Sequence, residues 1–233
     1  MSSLSSARSG NKRGVLFDVD GTLIDSSYIH TLAWWQAFRR EGLDVQMSAI
    51  HRCIGMGGDK LIQHLVPGCS DDTQEDLKST HGAVFSTFWP ALRAFDSARD
   101  LLAACSDAGL AVGLASSAQE RDLDVCRQLL DADSSIDAWT SSNDAKESKP
   151  APDILLACLE KLELGPRDVV FVGDAVWDVK AAAEIGVHTI ALTSGGISAA
   201  ELRHAGAVEV YENPRDLLDN LEHSAIGRLT PNA

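Results

Sequence analysis

Apolar residues recur along this chain in two rhythms, and the change from one to the other divides it. Val15-Leu16-Phe17 is a short apolar run that stops at Asp18-Val19-Asp20-Gly21-Thr22, so a strand leads straight into acidic residues. From about Ser27 to Trp89 the rhythm is helical: Leu32, Trp35 and Phe38 recur at that spacing, as do Leu61, Ile62 and Leu65, and then Leu77, Val84 and Phe88. Pro67-Gly68 and Trp89-Pro90 punctuate this stretch, and no strand is expected in it.

Beyond Pro90, strands and helices alternate. The pattern predicts a helix capped by Ser97 and closed before Gly109, a strand over Ala111 to Ala115, a helix over Glu120 to Leu130 and a short strand around Trp139. A helix over Asp153 to Leu162, a buried strand over Val169 to Val172, a helix over Val176 to Ile185 closed by Gly186, and a strand over His188 to Leu192 follow, with an edge strand at Val208 to Tyr211. Such alternation is the signature of right-handed βαβ units. The expected fold class is therefore α/β: a Rossmann-like parallel sheet with helices on both faces, built from residues 13–26 and 91–233. Residues 27–90 are expected to be an inserted α-helical cap domain, and residues 1–12 a disordered tail.

Composition narrows the functional classes. The 233 residues carry 34 acidic and 20 basic side chains, a net charge of −14, which leaves no basic surplus to neutralise a nucleic-acid backbone. A small phosphorylated metabolite remains compatible, because a bound divalent cation supplies positive charge locally. The cysteines (Cys53, Cys69, Cys105, Cys126, Cys158) are odd in number and contain no C-x-x-C pair, so neither a disulfide framework nor a zinc site is expected. The Ser-rich start has no apolar core of signal-peptide type, and no apolar run is long enough to cross a bilayer. A cytoplasmic monomer without a membrane or nucleic-acid partner is the expectation.

Ligands of open parallel sheets sit beyond the carboxyl ends of the strands, so polar residues just after apolar runs are the ones to collect. They are Asp18 to Thr22, Ser116-Ser117, Lys149-Pro150, and Gly173-Asp174 with Asp178. Four clustered carboxylates repel unless a cation intervenes, and oxygen-only donors select a hard ion such as Mg²⁺. A carboxylate can also attack phosphorus, which splits one slow transfer into two easier ones.

These residues resemble the haloacid dehalogenase superfamily, the branch that includes phosphoglycolate phosphatases and β-phosphoglucomutases. Asp18-Val19-Asp20-Gly21-Thr22-Leu23 is similar to its first motif, Ser116 to its second, Lys149 to its third and Gly173-Asp174 with Asp178 to its fourth, in the right chain order. The resemblance implies that Asp18 is the nucleophile and a metal ligand, and that Asp20 is the acid and base, its backbone carbonyl also reaching the metal. It implies that Ser116, with Ser117 beside it, binds the phosphoryl group, that Lys149 balances charge, and that Asp174 and Asp178 hold Mg²⁺. Gly21 and Thr22 are expected to help at the same site, glycine by allowing close backbone approach. Serines after a strand also cap helices, and Asp178 also suits the first turn of one.

The glycine-rich cap loop from His51 to Lys60 leaves two readings open: Arg52 and Lys60 bind an anionic part of the substrate, or both are solvated. His64 and His81 have no companions at metal-ligand spacing. The expected activity is Mg²⁺-dependent hydrolysis of a small phosphate monoester through an aspartyl-phosphate. Alternatives are a sugar phosphomutase of the β-phosphoglucomutase kind, a haloacid dehalogenase, which needs neither Mg²⁺ nor Asp20, and a non-catalytic phosphate-binding domain.

Overall fold

A computed structural model of the chain describes residues 12–230. The tail expected over residues 1–12 lies, Lys12 apart, outside the described residues. Strands β1 (Gly14–Phe17), β2 (Ala111–Ala115), β3 (Ala138–Thr140), β4 (Val169–Gly173), β5 (His188–Leu192) and β6 (Glu209–Tyr211) form one sheet. Its order is β3-β2-β1-β4-β5-β6, and every pairing is parallel. The short apolar runs become strands because both faces are covered: β1 is buried along its whole length.

Alternation along β1 sends Val15 and Phe17 to one apolar cluster and Leu16 to the other. Helices α5 (Ala98–Asp107) and α6 (Glu120–Leu130) pack on the first face, through Leu101, Leu102, Leu123 and Cys126. On the second face, α7 (Asp153–Leu162) contributes Ile154, Leu155 and Cys158, and α8 (Val176–Glu184) contributes Ala181 and Ala182. Each fully buried aliphatic or aromatic side chain in these layers stabilises the fold by roughly 1.5–3 kcal/mol.

The stretch between β1 and α5 is helical: α1 (Ser27–Arg40), α2 (Met47–His51), α3 (Gly58–Leu65) and α4 (Asp71–Ser86). It encloses an apolar cluster of its own around Trp34, Phe38, Ile50, Leu61, Ile62 and Leu77. Ala33 and Phe85 reach instead into the first sheet-face cluster, so the helical block is seated on the core. Ser70 caps α4 with its side chain, accepting from the Thr73 amide at 3.2 Å.

Two local readings differ from the expectation. Ser97 does not cap α5 with its hydroxyl; its backbone is left-handed at φ 62°, and the Ser97 Oγ instead accepts from Arg215 at 3.4 Å. Two short helices near the end, α9 (Ala199–Ala205) and α10 (Pro214–Asp219), were not anticipated. Among the described residues, no helix is long and apolar enough to cross a membrane.

Candidate active site

Strand order alone assembles the site, because β1 lies between β2 and β4 and their carboxyl ends are neighbours. Asp18 and Asp20 follow β1, Ser116 and Ser117 follow β2, and Asp174 follows β4. The chain can reverse directly after Asp20 because Gly21 takes φ +79°, and the Gly21 and Leu23 amides then bond to Ile24 and Val19 carbonyls. Lys149 enters from the loop between β3 and α7. Asp178 stands in the first turn of α8, where its Oδ2 accepts from the Asp174 and Ala175 amides at 3.1 and 3.0 Å.

Asp18, Asp174 and Asp178 are buried and each offers a carboxylate oxygen within 4.8 Å of the others. The Lys149 ammonium, wholly buried, stands 2.5 Å from Asp18 Oδ1 and 2.9 Å from Asp178 Oδ1. Burial acts to lower Lys149, but Asp178 and Asp18 beside it raise it above the ordinary lysine range, so it is charged. One ammonium does not neutralise three carboxylates. Burial pushes the Asp18 carboxyl up from 3.8 to about 7, with Lys149 opposing and Asp178 adding to the rise. Asp174 is driven well above its usual range by burial and by the neighbouring Asp178 and Asp18. A buried, oxygen-only, acid-rich cluster short of positive charge fits a hard divalent cation.

Asp20 faces differently. Its Oδ1 accepts from Ser26 Oγ at 2.6 Å and pairs with His30 Nε2 at 3.1 Å, which leaves Oδ2 as the oxygen not held by those two groups. Burial acts to raise Asp20, but the His30 imidazole and the bonds from His30 and Ser26 prevail and lower it. Thr22 Oγ1 donates to Asp174 Oδ1 at 3.0 Å, so the loop after β1 also orients the acid from β4. Ser116 is fully buried, and its Oγ accepts from the Ala118 amide at 3.0 Å. Ser117 Oγ is buried without a hydrogen-bond partner among the described residues and borders a cavity of about 330 Å³ above Asp18 and Asp20.

Residues 15–192 match the haloacid dehalogenase-like hydrolase family. The chain belongs to that family. It is 30% identical over 223 residues to N-acetylmuramic acid 6-phosphate phosphatase of Pseudomonas aeruginosa, covering 91% of this chain and 96% of the relative. It is 26% identical to phosphoglycolate phosphatase of Escherichia coli K12, covering 90% of this chain and 92% of that one. The crystal structure of a hydrolase from Pseudomonas syringae superposes with a TM-score of 0.88 at 32% identity, over 92% of this chain and 100% of that one.

In this hydrolase Asp18, Asp20 and Ser117 line one cavity, with Asp174, Asp178 and Lys149 around Asp18. Arg52 and Lys60 are not brought to it. Arg52 Nη1 lies 2.5 Å from Glu201 and Lys60 Nζ 2.6 Å from Glu147, and neither lines the cavity. The cationic side chains that do border it are Lys78 and Lys146.

The sequence reading missed His30 and left His81 without a companion. His30 Nδ1 and His81 Nε2 are 3.1 Å apart, with His30 stacked on Phe85 and His81 on Trp34. Burial, and then the His30 imidazole, hold His81 well below its ordinary range, so it is neutral. Both histidines line the cavity.

The raised carboxyls set the sign of a pH effect. Without metal, folded Asp18 keeps its proton from 3.8 up to about 7 while the unfolded chain has released its own, so stability falls as pH rises through that window. Asp174 adds in the same direction. A divalent cation binds the deprotonated set and should flatten the slope. Denaturant midpoints at about pH 5 and about pH 8, with and without Mg²⁺, measure it; a metal-free protein more stable at the higher pH would contradict the assignment.

Proposed function

We propose that this hydrolase is a Mg²⁺-dependent phosphatase that releases phosphate from a small phosphate monoester through a covalent phosphoryl group on Asp18. The observation that carries the reading is the position of Asp18, held by a buried lysine, flanked by two further carboxylates and open to a cavity that Asp20 shares. Asp18, Asp174 and Asp178 would hold the cation, with the Asp20 carbonyl completing the set. When bound, it supplies positive charge that keeps Asp18 ionised and offsets repulsion of a phosphate dianion.

The residues divide the work as follows. An Asp18 carboxylate oxygen forms a bond to phosphorus as the bond to the leaving oxygen breaks, and Asp20 gives that oxygen a proton. Water then attacks the phosphorus, its proton passes to Asp20, and Asp18 leaves with the electron pair. His30 and Ser26 hold Asp20 low, but the approach of a phosphate dianion raises it and favours proton uptake. Its two donors on Oδ1 leave Oδ2 to face the leaving oxygen. Ser117, Ser116 and nearby amides receive the phosphoryl oxygens, and Lys149 balances charge between them and Asp18.

The substrate is a phosphorylated sugar or sugar acid. A cavity of about 330 Å³ is of small-molecule size. Trp34, Ile54 and Met56 give it an apolar wall, and Lys78 and Lys146 border it. The relative that is 30% identical over 223 residues is named for an acidic amino-sugar phosphate. Helices α1 to α4 act as the lid over this space.

The test is phosphate release across a panel of sugar phosphates, N-acetylmuramic acid 6-phosphate and phosphoglycolate, with Mg²⁺ and with EDTA. Release that needs Mg²⁺ and is fastest for a sugar phosphate is expected. Isomerised sugar phosphate without free phosphate, or turnover unaffected by EDTA, would overturn the reading.

A further inference from the structure

Asp174 is wedged between two stretches of bare backbone. A Cβ added at Gly21 would lie 2.4 Å from Asp174 Oδ2, and one at Gly195 only 1.6 Å from it. Both glycines therefore press main chain against the carboxylate, and the course of the loop over Thr193 to Gly196, after β5, decides where Oδ2 can sit. Thr22 holds the other oxygen.

That loop is tethered from two sides. From the core, Ser194 Oγ donates to the Gly21 carbonyl at 2.7 Å and the Tyr211 carbonyl of β6 accepts from the Thr193 amide at 3.0 Å. From the helical block, His51 Nε2 lies 2.9 Å from the Gly195 carbonyl oxygen, and because a carbonyl only accepts, this nitrogen carries the proton. The His51 ring stacks on Tyr28 of α1 at a centroid distance of 4.6 Å, which fixes its plane. Gly196, at φ +93°, runs directly beneath this pair: a Cβ there would be 2.4 Å from the Tyr28 hydroxyl and 3.0 Å from the His51 ring. The helical block thus grips, at Gly195, the segment that confines a carboxylate of the acidic cluster.

We propose that His51 is a positioning residue for the metal site: its Nε2–H holds the Gly195 carbonyl so that the loop keeps Asp174 aimed at Asp18 and Asp178. The proposal rests on the reading that these carboxylates hold Mg²⁺. His51 neither lines the cavity above Asp18 and Asp20 nor belongs to the cluster, and it acts through the loop alone. Its loss should weaken cation affinity, in the range seen when a group that orients a metal ligand is removed, and leave Ser116 and Ser117 after β2, and Lys149, in place.

The experiment is calorimetric titration of Mg²⁺ into the full chain. His51→Phe keeps the stack on Tyr28 but has no donor, and should raise the Mg²⁺ Kd about 10-fold or more. His51→Gln, which can still donate to Gly195, should stay within about 3-fold of wild type. Arg52→Ala breaks the exposed Arg52 and Glu201 pair on the same seam without touching the loop, and should bind Mg²⁺ as wild type does. Activity of His51→Phe should recover at high Mg²⁺ with an unchanged KM for substrate. If His51→Phe does not fold, His51→Ala carries the same expectation. A wild-type Kd for the donorless variant would overturn the proposal. So would an equal loss in Arg52→Ala, which would assign the effect to seating of the whole block. A wild-type protein that takes up no Mg²⁺ would overturn the metal reading itself, and this proposal with it.

Discussion

Asp18→Asn should lower phosphate release by at least about 10⁴-fold and leave a folded protein. The amide is nearly isosteric but cannot form the bond to phosphorus, and no neighbouring carboxylate can stand in. Asp174 is pinned by Thr22 and the glycine backbones, and Asp178 by the amides at the start of α8. The fold should survive because the substitution removes a buried carboxyl that is already pushed up to about 7, while Lys149 keeps Asp178 at 2.9 Å. Steady-state phosphate release and thermal melting test both halves. Acid-quenched wild type should yield a phosphorylated peptide containing Asp18, absent from the variant. Turnover within tenfold of wild type would rule out the covalent route.

Lys149→Met should have the largest effect on the fold. The side chain is wholly buried and lies against both Asp18 and Asp178, with Ala115 O as a third partner at 3.2 Å. Methionine fills much of the volume but leaves the acidic cluster with no resident cation. Breaking a buried pair from one side costs about 3–5 kcal/mol, so denaturant unfolding should shift by that order in metal-free buffer at neutral pH. Two further outcomes separate electrostatics from packing. Lowering the pH, which protonates Asp18 and Asp174, and adding Mg²⁺ should each restore part of the loss. A deficit unchanged by either would assign it to packing, and would weaken the charge-balancing role given to this lysine.

Much of the fold was legible because β1, β2 and β4 are short apolar runs buried along their length and alternate with helical segments, the pattern of a parallel sheet covered on both faces. Once β1, β2 and β4 were placed, Asp18, Asp174 and the serines had to meet. What escaped depended on partners distant in the chain. His30 and His81 lie on α1 and α4 and come together only because those helices pack. Arg52 and Lys60 carry nothing in their local sequence that announces Glu201 and Glu147. Ser97 has the right residue type for a cap, but its left-handed backbone points the hydroxyl to Arg215. Helix α10 was readable: Asn213 accepts from the Asp216 amide, with Pro214 at the first position, a start signal that was overlooked.

His30, the imidazole on Asp20, is carried by the helical block rather than by the sheet. Anyone transplanting α1 to α4 from a related enzyme to alter substrate choice would therefore also replace the group that tunes Asp20, the proposed proton carrier. A chimaera lacking a histidine at this place would inherit new selectivity together with a slower reaction on poor leaving groups, and the two changes would be mistaken for one.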